Sequence, residues 1–275
     1  MFWRTMAGAV VVSAALSAVC YAGPPSPPGP PADRGPADPP GPPIDPQIVQ
    51  QGFAISPIAQ KDLNLRGKDA DLVGLGSYLV NAVADCNGCH ALPKFLPTGG
   101  AGSNPTYGDP FLGMKGDQTL TDSPVRANFN VKHFLAGGRC FGPVMSYNIT
   151  PDPNLGYLPA GLTESEFIRM MRTGEDIACE KPGSQNQAIC NLTLPSTFNT
   201  NVLQTMPWPT FHNMPDRDLK AIYAYLSAVP HAEACNTAAD GCPGASGAAA
   251  GNLPNHYAYL NNADGTCPSA LTVPQ

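Results

Sequence analysis

Three stretches of the chain place apolar side chains at the spacing of an α-helix. In residues 70–84, Leu72, Leu75, Leu79, Val80 and Val83 form one stripe. After Thr163, the apolar positions are Phe167, Ile168, Met170 and Met171. Thr163 and Glu166 stand at capping-box spacing, where each side chain satisfies the other residue's backbone N–H. Gly174 can take the left-handed backbone that ends a helix. A third helix is expected over residues 215–229, with Leu219, Ile222, Tyr223 and Leu226 on its buried face and Pro230 as its stop. Residues 92–157 show no sustained period, and their Gly and Pro predict loops with short strands. The pattern predicts an all-α protein with long Gly/Pro-rich loops, and no internal repeat is visible.

The ends read differently. Residues 1–22 have the form of an export signal: Arg4 gives a positive start, residues 6–19 an apolar core, and Ala22 a small residue for cleavage before Gly23. The apolar core is too short for a membrane span, and no transmembrane helix is expected in the mature chain. Residues 23–43 are mostly Pro, Gly and small polar residues, a spacer that cannot build a core. The folded domain is expected over residues 44–230, followed by a cysteine-containing tail over 231–275.

The most specific chemistry lies at Cys86-Asn87-Gly88-Cys89-His90. Cys-x-x-Cys-His is a c-type haem attachment pattern. Two thiols three positions apart on a helical turn can add to the two vinyl groups of one haem, and the following imidazole then points at the iron. A zinc site would need a second ligand pair at similar spacing, and none of the other cysteines forms one. A thioredoxin-like pair would need a βαβ context, which is absent. The motif occurs once, so one covalent haem c is expected, with His90 as an iron ligand.

Export and cysteine number agree with that expectation. Of nine cysteines, Cys20 would leave with the signal and two would hold haem. The six that remain are Cys140, Cys179, Cys190, Cys235, Cys242 and Cys267, an even number suited to disulfides in an oxidising compartment such as the periplasm. The local pairs Cys179–Cys190 and Cys235–Cys242 are plausible, with Cys140–Cys267 tying down the tail, although spacing alone does not choose the connectivity. Lipid anchoring at Cys20 is disfavoured, because Val19 stands where a small residue is expected. The net charge of −6 argues against nucleic acid as a partner.

The helix carrying Gly76-Ser77-Tyr78-Leu79-Val80, the haem motif, Asn148-Ile149-Thr150-Pro151-Asp152, Leu162-Thr163 through Gly174, and Met206-Pro207-Trp208-Pro209 before the last helix together resemble a class I c-type cytochrome. More narrowly they resemble the cytochrome c subunits and partners of bacterial periplasmic alcohol or aldehyde dehydrogenases. The resemblance implies a class I cytochrome c-like fold around one haem. It implies an electron carrier rather than an enzyme, with a dehydrogenase as donor and an oxidase or another cytochrome as acceptor. It also implies Met206 as the sixth iron ligand, a soft sulfur that favours ferrous iron. Met145 is the first alternative, then His212 and His133, with Met114 and Met214 behind them. His90 is expected to donate its other ring nitrogen to a backbone carbonyl, near Pro97 by resemblance. Trp208, Arg139, Tyr147 and Asn148 are candidate haem contacts. The competing class is a haem peroxidase or gas-binding sensor with an open iron position.

Overall fold

The computed structural model describes residues 42–90, 131–138, 140–141, 144–190, 199 and 201–233. The expected signal, most of the spacer, Arg139, Pro97, Met114, Cys235, Cys242 and Cys267 lie outside them. Of the described residues 53% are helical and 6% lie in strands, so the chain is mostly helical and its strands act only as short ties.

The first helix, α1, spans Pro46–Ile55. Asp45 caps it, its side chain accepting from the Gln47 N–H at 2.8 Å, and Pro46 sits where no N–H is needed. The sequence reading did not foresee α1, although Asp-Pro before an apolar-periodic run is its start signal. Helix α2, Ala70–Tyr78, is capped by Asp69, which accepts from the Asp71 and Leu72 N–H groups. It continues into a π-helical turn, Leu79–Val83, closed by Ala84 N–H to Leu79 O at 2.8 Å. Helix α3, Cys86–His90, follows directly.

The wide turn corrects one detail of the expected stripe. Leu75, Leu79 and Val80 are buried, but Val83 is 56% exposed. A π turn adds a residue to the helical repeat, so Val83, its last residue, rotates off the buried face.

Two antiparallel two-residue pairs come next. Strand β1 (Cys140–Phe141) pairs with β2 (Val144–Met145), and β3 (Pro151–Asp152) with β4 (Leu158–Pro159). Helix α4, Glu164–Thr173, carries the expected capping box at Thr163 and Glu166, and Gly174 ends it at φ 72°. The single-turn helices α5 (Gln187–Cys190) and α6 (Trp208–Phe211) precede α7, Asp216–Ala228.

Helix α2 packs between α1 and α7, and small residues set how closely. A Cβ on Gly52 would stand 1.9 Å from the Gly74 carbonyl oxygen, and one on Gly76 would stand 1.8 Å from that of Ala221. These glycines let backbone meet backbone. On α7, Leu219, Ile222 and Leu226 are buried as expected, Tyr223 is only partly buried, and Tyr225 is completely buried.

Burial of Tyr225 requires partners for its hydroxyl. The hydroxyl bonds Ser56 Oγ at 2.8 Å, while Ser56 donates to Ile58 O. Asn81 Nδ2 donates to Tyr225 at 3.5 Å, and Asn81 Oδ1 accepts from Asn87 Nδ2 at 3.2 Å. This polar chain links α1 and α7 through the π turn to the interior of the Cys86–His90 motif.

Candidate functional site

The site starts from Asp85, whose φ of 48° breaks the helical path between the π turn and α3. Its carboxylate lies over Gly88, where a Cβ would stand 2.3 Å from Asp85 Oδ2. Gly88 therefore leaves room for the carboxylate beside the turn. Neither Cys86 nor Cys89 is in a disulfide. Burial first, then the charges of Asp85 and Cys89, push the Cys86 thiol up to about 12. Asn87 points inward to Asn81, which leaves the two thiols and His90 on the outer side of the turn.

His90 is held at two points. Its carbonyl accepts from the Gly137 N–H at 2.7 Å. Its Nδ1 lies 2.7 Å from the Tyr147 carbonyl, which can only accept, so Nδ1 carries the proton and Nε2 the lone pair. Burial pulls the His90 pKa down, against an upward pull from the Tyr147 carbonyl. The imidazole is therefore neutral at neutral pH, the form that binds a metal.

The thiols and imidazole line one largely apolar cavity of about 190 Å³. Its walls come from separate parts of the chain. The motif and the segment around Tyr147 form one side, α4 gives Phe167 and Met170, and α7 gives Ile222 and Leu226. The loop before α6 gives Met206.

That loop is fastened to the end of α4 on both sides of Met206. Glu175 bridges Val202, and Leu203 N–H donates to Gly174 O at 2.8 Å. Beyond Met206, Arg172 donates to the His212 carbonyl and pairs with Asp216 at 2.8 Å. Trp208 packs on Gly174.

The candidates separate by position. Cys86, Cys89, His90, Met206, Met145 and Tyr147 all line the cavity. Tyr147 contributes its carbonyl to His90, a role the sequence reading gave to a carbonyl near Pro97. Asn148 is buried and fully engaged elsewhere. Its Nδ2 donates to Ala232 O at 2.7 Å, its Oδ1 accepts from Thr150 N and Oγ1, and its N–H donates to Asn186 Oδ1. Asn148, Trp208, His133, His212 and Met214 are not among the cavity-lining residues. His212 Nδ1 meets the Arg172 carbonyl, and His133 Nδ1 that of Glu233.

Sequence reasoning missed Asp176 and the placing of one disulfide. Cys179 and Cys190 are joined as expected, with Cα atoms 5.3 Å apart, but the bridge also forms part of the cavity wall. Asp176 lies beside it, and nothing in the spacing around Glu175-Asp176-Ile177 marks it.

These residues fit a c-type haem. The two thiols share the cavity wall with a neutral imidazole whose Nδ1 is already engaged, and Met206 brings a sulfur to the same cavity from another part of the chain. No helix of the described residues is long and apolar enough to cross a membrane. Compared with family models, curated proteins and solved structures, the chain matches none.

Proposed function

We propose that the chain is an exported, periplasmic c-type cytochrome that carries one electron at a time on a single covalent haem. The observation that carries this reading is the convergence of Cys86, Cys89, His90 and Met206 on one apolar cavity, with His90 Nδ1 held by Tyr147 O at 2.7 Å. The order of elements, helix α2, motif turn, α4, Met206 loop and α7, with α2 packed on α7, supports a class I cytochrome c-like fold.

A haem held there would supply a ferric/ferrous couple. Cys86 and Cys89 would anchor it by thioethers. His90 offers Nε2, and the Tyr147 carbonyl strengthens that nitrogen as a donor. Met206 would supply a thioether sulfur as the second protein ligand to the iron. Met145 lines the same cavity, but it stands two residues before Tyr147, in the segment that holds His90. Met206 comes from the separately anchored loop, which favours it as the sixth ligand. Apolar side chains from α4 and α7 keep water away, so little need reorganise when charge changes.

Donor and acceptor would meet the protein at the open side of the cavity, in small and transient contacts. By the sequence resemblance the donor is a dehydrogenase and the acceptor an oxidase or another cytochrome.

The test is covalent attachment. The full chain, matured in an exporting host with haem-attachment machinery, should keep haem after denaturation, as read by intact mass. The double variant Cys86→Ala/Cys89→Ala should lose it. A wild-type chain that matures without haem mass sinks the proposal.

A further inference from the structure

One residue beside His90 has more contacts than a cavity wall requires. Tyr147 gives its carbonyl to His90 Nδ1 at 2.7 Å. Its hydroxyl donates to Asp176 Oδ2 at 2.7 Å. The hydroxyl oxygen also lies 2.8 Å from Cys179 Sγ and 3.8 Å from Cys190 Sγ. The backbone end of Tyr147 therefore meets the imidazole, and its side-chain end meets a partly buried carboxylate and a disulfide.

Asp176 is tied in the other direction too. Its N–H donates to Asn201 O at 3.0 Å, next to the Glu175–Val202 bridge that leads to Met206. One carboxylate residue thus connects the segment behind His90 with the segment that delivers Met206. Its second oxygen, Oδ1, is buried and accepts no hydrogen bond among the described residues. A buried carboxylate oxygen with a vacant acceptor position is costly, so the Tyr147 hydroxyl on the other oxygen matters to Asp176. The charged neighbour acting on Asp176 is Glu180, of like sign.

We propose that Tyr147 is a positioning residue for His90, clamped by Asp176 and the Cys179–Cys190 disulfide, and that this clamp lowers the reduction potential of the haem site. The inference rests on the cytochrome reading. A carbonyl held firmly against Nδ1–H increases electron donation from Nε2, and stronger donation favours ferric iron. Without the hydroxyl the Tyr147 ring loses its tie to Asp176 and the bridge, so the carbonyl is held less firmly, and Asp176 keeps the Cys179 N–H but loses its hydroxyl donor and is more readily protonated. Looser donation to His90 and loss of a nearby negative charge both favour ferrous iron, so the two effects act in the same direction.

The test is a potentiometric titration of the matured, haem-loaded chain, comparing wild type with Tyr147→Phe, Asp176→Asn and Tyr223→Phe. Tyr223 donates to Leu162 O at 2.9 Å and lies outside the cavity lining, so it controls for loss of a tyrosine hydroxyl bond as such. Tyr147→Phe should raise the ferrous-to-ferric ratio at fixed poise about tenfold, equivalent to ~59 mV for one electron. Asp176→Asn should shift it in the same direction, and Tyr223→Phe should leave it unchanged. If Tyr147→Phe fails to fold, Asp176→Ala, which removes the acceptor as well as the charge, carries the same readout by shifting the potential further than Asp176→Asn, which removes the charge and keeps an acceptor. Haem-loaded variants with wild-type potentials, or a Tyr223→Phe shift as large as that of Tyr147→Phe, overturn the clamp and leave the cytochrome reading intact. A wild type that takes up no haem overturns both.

Discussion

Gly137 approaches Tyr147 so closely that a Cβ on the glycine would stand 2.3 Å from the Tyr147 carbonyl oxygen, the atom that accepts from His90 Nδ1. Gly137 also has a φ of 69°, and its own N–H binds the His90 carbonyl. One glycine therefore holds the backbone of the motif and leaves room for the contact to its imidazole. Gly137→Ala pays about 1–2 kcal/mol for the left-handed backbone and about 1–3 kcal/mol for the overlap. Urea unfolding should show a loss of about 2–5 kcal/mol. A loss below about 1 kcal/mol would mean that the close approach is not maintained in solution.

Cys86 chemistry should depend on pH in the haem-free chain. With its thiol pushed up to about 12, the reactive thiolate is scarce near neutrality. Alkylation of Cys86 by iodoacetamide should be slow in the folded protein at pH 8, faster in the unfolded protein, and should rise steeply as pH climbs toward 12. Asp85→Asn removes one upward push and should speed the folded-state reaction at pH 8. Equal rates for the folded and unfolded chains would contradict the buried thiol.

Asp176 gives a stability signature of its own. Burial is the largest influence and raises its pKa, outweighing the Tyr147 and Cys179 hydrogen bonds that lower it. The folded state then binds a proton more readily than the unfolded state. Its favourable contribution is complete below the ordinary carboxylate pKa and is lost as pH rises through the raised one. Asn at this position keeps an acceptor for Tyr147 and cannot ionise. The Tm of Asp176→Asn minus that of wild type should therefore be more positive at pH 7 than at pH 4. A difference independent of pH would contradict the raised value.

The start of α4 behaves oppositely. Burial pushes Glu166 up, but Lys181 Nζ and the Thr163 N–H and hydroxyl pull it below the usual carboxylate value. Stability from this carboxylate is present above its unfolded pKa and is lost as pH falls through the lowered one. Glu166→Gln should destabilise at pH 7, and its penalty should shrink as the pH is taken down through the carboxylate range. Thr163→Ala should cost about 1 kcal/mol at pH 7. Denaturant midpoints at two pH values check both.

What could be read from the sequence was what local chemistry dictates. Thr163, Glu166 and Gly174 announced α4 because capping and left-handed termination are properties of a few adjacent residues. Cys179–Cys190 could be anticipated because it closes a short loop. Cys86, Cys89 and His90 declare themselves through spacing. The rest depends on contacts between distant parts of the chain. The π turn that turns Val83 outward leaves no mark in the apolar pattern. Tyr147 was singled out as a possible haem contact, yet its carbonyl is what holds His90, and every residue has a carbonyl. Asn148 shows no outward sign that its amide is spent on Thr150 and Ala232. Asp176 becomes part of the site only through the packing of the α4 terminus against the Tyr147 segment.

The most direct measurement of the central claim is the ferric absorption spectrum of the haem-loaded chain in the far red, wild type beside Met206→Ala. His90/Met206 ligation requires a low-spin wild type with a sulfur-to-iron charge-transfer band that is lost in the variant. A band that survives in Met206→Ala would move the ligand to another methionine, with Met145 first. A high-spin wild type without the band would contradict the electron-carrier reading, because the iron would then have an open position for catalysis or gas binding.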